Sequence, residues 1–399
     1  MNAPPRPPAD LATVLPFSFK QHFHRIDMTK KYIRAVAMAA AAVSAMAYAG
    51  LTQAAPTPAL QLTLLDSAGA RFSEANAIAN SGAIVGAAAQ DWGIAFRATA
   101  WQGGAFNVVG GNASRALGVN DAGQSVGLTY WRYNETHAMV WSNGTAKDLH
   151  TFGAYKSEAR DINASGKVAG WAFYTVIPIA TVWDASTGQR TDLSGIESEA
   201  YAINDSGQVA GWQNVGGYMH ATVWTGTQAI DLGIPGQGSL ARGINESGLV
   251  VGTSSDSNWT NFATVWNGTV ATRLSSLSYG DSHAWDINNH GLVVGNSRDP
   301  GTGGQHATLW VGTDIVDLNT YLDPALALQG WVLTTATGVN DQGWIVGMAE
   351  QSINGDLKRS AFLLSPIPEP SAYGMALAGL GVTALMSRRR QRRNVTQTC

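Results

Sequence analysis

Three histidines stand at the same position of a recurring five-residue segment in this chain of 399 residues. His137, His220 and His306 begin the segments HAMVW, HATVW and HATLW. Three imidazoles could form a zinc site, in which each nitrogen lies about 2 Å from one ion. Other copies of the segment begin with arginine, isoleucine, phenylalanine or serine. We therefore predict no metal and no cofactor, and we expect these histidines to bond to a nearby aspartate or loop carbonyl.

Two aspartates recur at a second fixed position. Asp161 and Asp286 each precede an Ile-Asn pair in the repeated pattern. Two carboxyl groups ~5–10 Å apart could hydrolyse a glycosidic bond. The remaining candidate acids lie in variable segments and share no motif: Asp91, Glu135, Asp256 and Asp299. These residues favour a non-catalytic protein, and a polysaccharide hydrolase or lyase is the alternative.

The pattern Ile-Asn-x-x-Gly-x-Val-x-Gly recurs along the chain. Asparagine starts a type I turn through its side chain, and the glycine three residues later takes the left-handed conformation. The pattern therefore predicts a hairpin with a short bulged loop. It accounts for the polar turn residues without calcium, and the spacing of an EF-hand loop is absent. The predicted turn residues are Asn120, Gly123, Asn163, Gly166, Asn204, Gly207, Asn245, Gly248, Asn288, Gly291, Asn340 and Gly343.

These hairpins belong to a longer repeat. From Gly82 onward, the turn glycines are spaced by 41, 43, 41, 41, 43 and 52 residues, and each of the first six units contains four short strand patterns. Four strands in about 40–45 residues is the period of a propeller blade. We predict an all-β fold, a seven-bladed β-propeller of about 41-residue repeats over residues 59–365. A β-solenoid is the alternative.

The last repeat is incomplete, because no fourth strand pattern follows residues 360–364. Residues 59–66 (ALQLTLLD) form an extra strand pattern ahead of the first repeat. We expect this segment to be the outer strand of the last blade. Such pairing would tie the two ends of the ring together and cover a free sheet edge.

Composition supports this β-rich interpretation and excludes some partners. Charged residues make up only 13% of the chain, and it contains 45 glycines and 14 tryptophans, which is typical of strands joined by tight turns. The net charge of −3 argues against nucleic acid as a partner. Cys399 is the single cysteine, so no intrachain disulfide forms.

Aromatic residues lie on or beside the variable segments between the second and third strands of each unit. In a propeller these segments share one face, and variable loops on a repeat scaffold commonly bind ligands. The candidate ligand-binding residues are Trp92, Trp131, Tyr133, Trp171, Tyr174, Trp212, Tyr218 and Trp259. Trp171 and Trp212 directly follow a strand glycine, and packing between blades is the alternative for both.

Residues 28–55 have the organisation of a secretory signal peptide. Lys30, Lys31 and Arg34 precede an apolar segment over 35–47, which small residues follow. We predict Sec-type export with cleavage after Ala49. Residues 1–27 are rich in proline, and we expect an upstream extension or a disordered leader there.

Residues 366–399 combine three further signals. The tripeptide Pro368-Glu369-Pro370 precedes an apolar segment over 371–386 and an arginine-rich tail. This order resembles the PEP-CTERM sorting signal of Gram-negative bacteria. The resemblance implies an exosortase-type processing protease as a partner, transient insertion of 371–386 in the inner membrane, and delivery to the cell surface or the extracellular space.

The repeated motifs of residues 72–365, Ile-Asn-x-x-Gly, His-Ala-x-x-Trp and Asp-Leu, are similar to the extracellular HAF repeat family. This resemblance implies secretion and repetition, and it brings no assigned catalytic activity. We therefore predict a surface-associated binding or adhesion module. Exopolysaccharide or biofilm matrix is the expected partner, with surface proteins as a second possibility.

Overall fold

The computed structural model describes residues 59–90, 96–132, 135–150, 154–173, 176–234, 236–353 and 355–367. These residues form five four-stranded sheets and one eight-stranded sheet. Within each of the first six repeats, four consecutive strands pair antiparallel with their neighbours in sequence. The fold is all-β, as predicted.

The strands follow the predicted units closely. The first three repeats contain β2 (Phe72–Ile78), β3 (Ile84–Ala89), β4 (Arg97–Gln102), β5 (Ala105–Asn112), β6 (Ser114–Val119), β7 (Ser125–Arg132), β8 (Glu135–Ser142), β9 (Thr145–Asp148), β10 (Lys156–Ile162), β11 (Lys167–Phe173), β12 (Pro178–Asp184) and β13 (Arg190–Asp192). The next three contain β14 (Ser198–Ile203), β15 (Gln208–Val215), β16 (Tyr218–Thr225), β17 (Gln228–Asp231), β18 (Ser239–Ile244), β19 (Leu249–Ser255), β20 (Asn261–Asn267), β21 (Val270–Arg273), β22 (Ser282–Ile287), β23 (Leu292–Arg298), β24 (Gln305–Val311) and β25 (Asp314–Asp317). The seventh contains β26 (Trp331–Val339), β27 (Ile345–Ile353) and β28 (Asp356–Pro366).

An insertion between the sixth and seventh repeats explains the longest spacing. It consists of a 3-10 turn over Leu318–Tyr321 and a short helix, α1 (Pro324–Leu328). The Asp323 side chain accepts a hydrogen bond from the backbone N–H of Ala325 at the start of this helix. Proline at the first helical position is tolerated because its missing N–H has no partner there.

The predicted closing strand is present. Strand β1 (Leu60–Leu64) pairs antiparallel with β28, from Leu60 opposite Pro366 to Leu64 opposite Phe362. The eight-stranded sheet has two halves, which a single parallel bridge between Phe72 and Arg359 joins. One half contains β1, β26, β27 and β28, and the other contains β2–β5. Counting it as two blades gives seven, and the blade number stays a prediction.

Hydrogen bonds between successive turns run around the ring, and the first two turns are joined by the Ser81 N–H, which donates to Asp121 Oδ1. Each turn asparagine donates its side-chain N–H to the backbone carbonyl of the next turn, from Asn120 to the carbonyl of Asn163 and onward. The last link runs from Asn340 to the carbonyl of Ala79, 261 residues away, at 3.1 Å. A straight solenoid would place these two turns at opposite ends. The chain is therefore a closed β-propeller.

The core lies between neighbouring repeats. The tryptophan that ends each His-Ala-x-x-Trp segment is buried against the strands of the preceding repeat, as Trp183 is against Val140 and Leu149. Trp101 of the first repeat packs in the same way against Ala361 of the last. Burying a large aromatic side chain contributes several kcal/mol at ~25 cal/mol per Å². These contacts hold the inner strands in place around the axis.

Candidate functional site

The three repeated histidines bind aspartates of their own repeats. The Nδ1 atoms of His137, His220 and His306 lie 2.7, 2.9 and 2.8 Å from a carboxylate oxygen of the aspartate eleven residues later in each case. These contacts match the local hydrogen bonds that we expected from the sequence. Within the described residues, no group of three or more histidine, cysteine or acidic side chains is placed to hold a metal ion.

Asp161 and Asp286 both join adjacent repeats. The Oδ2 atom of Asp161 accepts from the Ile203 N–H at 2.9 Å, and that of Asp286 accepts from the Val339 N–H at 2.9 Å. Each Oδ1 atom accepts the N–H of the following residue at 2.8 Å. All four carboxylate oxygens therefore hold the backbone in place. This arrangement suits a structural link better than an acid and nucleophile pair.

Burial of the Asp286 carboxyl makes the stability of the fold depend on pH. It raises the pKa of Asp286 from 3.8 to about 7, against the opposing effect of the two backbone hydrogen bonds. Burial also raises the pKa of Asp161. A raised pKa means that the folded chain holds a proton that the unfolded chain has lost. The free energy of unfolding therefore falls as the pH rises from about 4 to about 7.

We expect Asp286→Asn to flatten that dependence. The amide cannot lose a proton, so the melting temperature of the variant should change less between pH 4 and 7 than that of the unchanged chain. At pH 4 the variant should melt lower, because an amide nitrogen cannot accept the Val339 N–H. Thermal unfolding followed by circular dichroism at several pH values measures both effects. Equal slopes in the two proteins would contradict the role assigned to Asp286.

A polar cavity of about 270 Å³ lies on the axis. The residue after each turn asparagine lines its mouth, and most of these side chains accept a backbone N–H from a neighbouring turn, as Asp205 Oδ1 accepts from Ala164 at 2.7 Å. The mouth residues are Asn80, Asp121, Ala164, Asp205, Glu246, Asn289 and Asp341. Four of the seven are acidic. We call this cavity the axial cup.

A second set of side chains repeats around the axis, four of them line the axial cup, and sequence reasoning missed the set. Each innermost strand carries a β-bulge three residues before its turn position, and a bulge re-aims the side chain that it displaces. The displaced residues, here called the bulge belt, are Asn76, Leu117, Arg160, Tyr201, Arg242, Trp285 and Thr337. Their shared offset from the turn asparagine was available in the sequence. Because the amino-acid type at this position differs from repeat to repeat, a search for repeated motifs did not identify these residues.

The predicted aromatic residues divide into two groups. Trp171 and Trp212 are buried, with 8% and 7% of their surface exposed, which argues against a role in stacking on a ligand. Trp131 and Trp259 are 62% and 66% exposed. The Trp131 ring stacks on His137 at 5.2 Å, and Trp259 stacks with Tyr218 at 6.2 Å between ring centroids. Trp92, Tyr133 and Tyr174 lie outside the described residues.

The key residues of the two predicted terminal signals share one outcome. Ala49, Pro368, Glu369, Pro370 and the segment 371–386 lie outside the described residues. Among the residues of 59–367 that the structure describes, no helix is long and apolar enough to cross a membrane.

The comparisons with known proteins identify one signal. The PEP-CTERM protein-sorting motif matches residues 366–391. The protein is therefore marked for export to the cell surface or the extracellular space of a Gram-negative bacterium, with processing by an exosortase and transient membrane passage. No curated protein matches the sequence.

The similar solved structures are distant. The chain is 12% identical to the β-propeller domain of the Trilobed protease from Pyrococcus furiosus, with a TM-score of 0.49 over 74% of this chain and 94% of that one. It is 12% identical to TolB from Acinetobacter baumannii, with a TM-score of 0.42 over 68% of this chain and 76% of that one. At these values neither structure contributes to the functional argument.

Proposed function

We propose that this exported propeller is a non-catalytic binding or adhesion module for extracellular polysaccharide, as found in exopolysaccharide or a biofilm matrix. The observation that carries the proposal is the conformation of Trp259. Its backbone φ of 61° lies in the left-handed region, which bulky residues rarely adopt and which costs about 1–3 kcal/mol. The ring is nevertheless 66% exposed, so no burial of the side chain offsets the strain.

A tight turn holds Trp259 in this position. The Trp259 N–H donates to the Asp256 carbonyl at 3.0 Å, and Asp256 Oδ1 accepts the N–H groups of Asn258 and Thr260 at 2.8 and 3.0 Å. These hydrogen bonds hold the pKa of Asp256 below its usual range, so the carboxylate stays charged and the turn stays intact over a wide pH range. The turn fixes the indole before a ligand arrives, which reduces the entropy lost on binding.

The neighbouring repeat supplies a second ring. Tyr218 follows Gly217 in the hairpin between β15 and β16, and its ring lies within 20° of parallel to that of Trp259. Together they form what we call the aromatic platform, which spans two repeats. Sugar rings have apolar faces that stack on such aromatic surfaces, while their hydroxyl groups bond to nearby polar side chains. Asn258 in the same turn is one such polar group.

Polysaccharide hydrolysis is the weaker interpretation. It would assign Asp161 and Asp286 as the acid pair, yet both use their carboxylate oxygens to hold neighbouring backbone. Adhesion to another surface protein through the same platform is the second non-catalytic possibility, and the experiment below separates it from glycan binding.

We expect Trp259→Ala to weaken glycan binding several-fold. Stacking on one aromatic ring contributes roughly 0.5–1.5 kcal/mol. Tyr218→Ala should produce a similar loss, because the two rings form one surface. The purified chain is screened on a glycan array, and the affinity for the best-bound glycan is then measured by calorimetry for each variant.

The matched control is Val270→Ala, which removes a 67% exposed apolar side chain from β21 of the same repeat without touching the platform. It should bind as the unchanged chain does. A chain that binds no glycan at all would leave protein adhesion as the better proposal. An unchanged affinity in both aromatic variants would remove the platform from the site.

Four further parts of the proposal concern the export route, the family and the blade count. Sec-type export would begin at the segment 28–55, with cleavage after Ala49. The exosortase would then remove the tail near Pro368-Glu369-Pro370. Membership of the HAF repeat family and the count of seven blades also remain proposals.

A further inference from the structure

Arg242 is set apart from the rest of the bulge belt by its lack of a polar partner. The other polar members each have one. These pairs are Asn76 with the Ala116 carbonyl, Arg160 with Glu158, Tyr201 with Glu199, Trp285 with Asn296, and Thr337 with the Ala75 carbonyl, at 2.8, 2.7, 2.5, 2.6 and 2.7 Å. Arg242 contributes to the wall of the axial cup. Among the described residues its side chain makes no hydrogen bond or ion pair, and its Nε atom is buried.

Two aromatic rings hold the Arg242 guanidinium instead. Its central carbon lies 5.2 Å from the centroid of the Tyr201 ring and 4.1 Å from that of Trp285. Glu199 lies close enough to attract the charge, but its carboxylate already accepts the Tyr201 hydroxyl. Burial lowers the pKa of Arg242, which reports the cost of removing the charge from water.

This environment suits one kind of ligand group. Aromatic rings cover the faces of a guanidinium, while its N–H donors point outward from the edges. Two parallel donors match the two oxygens of a carboxylate in a bidentate pair. An arginine whose Nε atom is buried without a hydrogen-bond partner is therefore prepared to receive a carboxylate from a ligand in the cup.

The remaining wall of the cup suits hydroxyl groups. Asp121, Asp205, Glu246 and Asp341 line the mouth. The first three each accept one backbone N–H from a neighbouring turn, and a carboxylate can accept more hydrogen bonds than that, whereas Asp341 already accepts three. Sugar hydroxyls could donate to them. The same acids disfavour a ligand with several negative charges. The volume of about 270 Å³ is at the small end of ligand pockets, which suits a single sugar residue.

We propose that the axial cup binds one hexuronate residue, with the sugar carboxylate on Arg242 and the sugar hydroxyls on the acidic mouth. This site is separate from the aromatic platform and goes beyond the proposed function. Either site can exist without the other.

The test is a calorimetric titration of the full chain with glucuronate, glucose and inorganic phosphate. Glucuronate should bind, and glucose should bind roughly tenfold to a hundredfold more weakly, because it lacks the group that pairs with Arg242. Phosphate should not displace glucuronate, because the acidic mouth of the cup repels its second negative charge. Arg242→Gln should reduce glucuronate affinity by the same factor, and Arg242→Lys should also reduce it, because lysine lacks the fork of donors.

The matched control is Arg273→Gln. That guanidinium also lies over a ring, 4.5 Å from the centroid of Phe262, but it is exposed on β21 outside the cup. Its removal should leave glucuronate affinity unchanged. Arg242→Gln should melt no lower than the unchanged chain in the absence of ligand, because it removes an unpaired buried charge.

Several results would overturn the proposal: no glucuronate binding, equal affinity for glucose, tighter binding of phosphate, or unchanged glucuronate affinity in both Arg242 variants. If Arg242→Gln does not fold, the lysine variant decides the question. The Arg242 variants with glucuronate test the cup, and the Trp259 and Tyr218 variants with the array-selected glycan test the platform, so failure at one site is distinguishable from failure at the other.

Discussion

A chain that lacks residues 59–66 is expected to lose several kcal/mol of folding stability. The deletion removes β1, whose Leu60 packs into the core cluster around Phe362 and Leu364. Leu65 is also buried, against Trp101. Each buried leucine contributes about 1.5–3 kcal/mol. The deletion also leaves the edge of β28 unpaired, which favours association with other chains. Thermal unfolding and size-exclusion chromatography measure the two effects.

The control for the closing strand is a double substitution, Gln61→Ala with Thr63→Ala. Both side chains are exposed on β1, so the change should stay within about 0.5 kcal/mol per residue. The strand pairing itself is retained. An unchanged melting temperature after deletion of 59–66 would show that the pairing of β1 with β28 does not close the ring.

Gly211→Ala is expected to be among the most damaging single substitutions. A Cβ atom at this position would lie 2.0 Å from the Glu199 carbonyl oxygen and 2.9 Å from the Ala200 Cα atom. Because both contacts are with backbone, β14 and β15 would have to separate. We expect a loss of more than about 3 kcal/mol, near the upper limit for overpacking. Equilibrium denaturation with urea gives the value.

Gly195→Ala is the matched control for this substitution. Nothing lies within 4 Å of a Cβ atom at Gly195, and its backbone does not require the left-handed region. An alanine there should leave stability unchanged or raise it by about 0.4–1 kcal/mol. If the two substitutions had equal effects, close approach of the strands would not explain the repeated glycine.

The repeat offers further glycines in the same environment. In most repeats the strand glycine opposite the bulge would place a Cβ atom about 2 Å from a carbonyl oxygen of the innermost strand, as at Gly170 and Gly295. The sequence displays this glycine in every copy of the Val-x-Gly motif, but its reason is the bulge of the facing strand. The sequence therefore shows the glycine, and the structure shows why it is needed.

Much of the architecture could be predicted because the same local turn and strand patterns recur in every repeat. An Asn-x-x-Gly turn is decided by residues within four positions, through the Asn120 side chain that accepts the Gln124 N–H and the left-handed backbone of Gly123. The strand count and the extra segment at 59–66 then implied ring closure. The histidine and aspartate pairs also followed, because both partners recur at a fixed separation.

The sequence did not predict which of the candidate aromatic residues are exposed. Eight aromatic residues satisfied the same sequence criterion, yet burial separates Trp171 and Trp212 from Trp131 and Trp259. Their exposure depends on how each loop lies against the neighbouring repeat. The strained backbone of Trp259 likewise follows from its turn, and the sequence marked it only as one aromatic among several.

The sequence by itself determined the hairpins, the strand order and the sorting signal, because each is encoded by neighbouring residues or by a regular count. Only the tertiary structure decided which side chains meet at the axis. Arg242 meets Tyr201 and Trp285, each about 40 residues away, because ring closure brings three innermost strands together and a bulge displaces each of these side chains. No local pattern encodes that meeting, since these residues vary from repeat to repeat while the backbone that positions them does not.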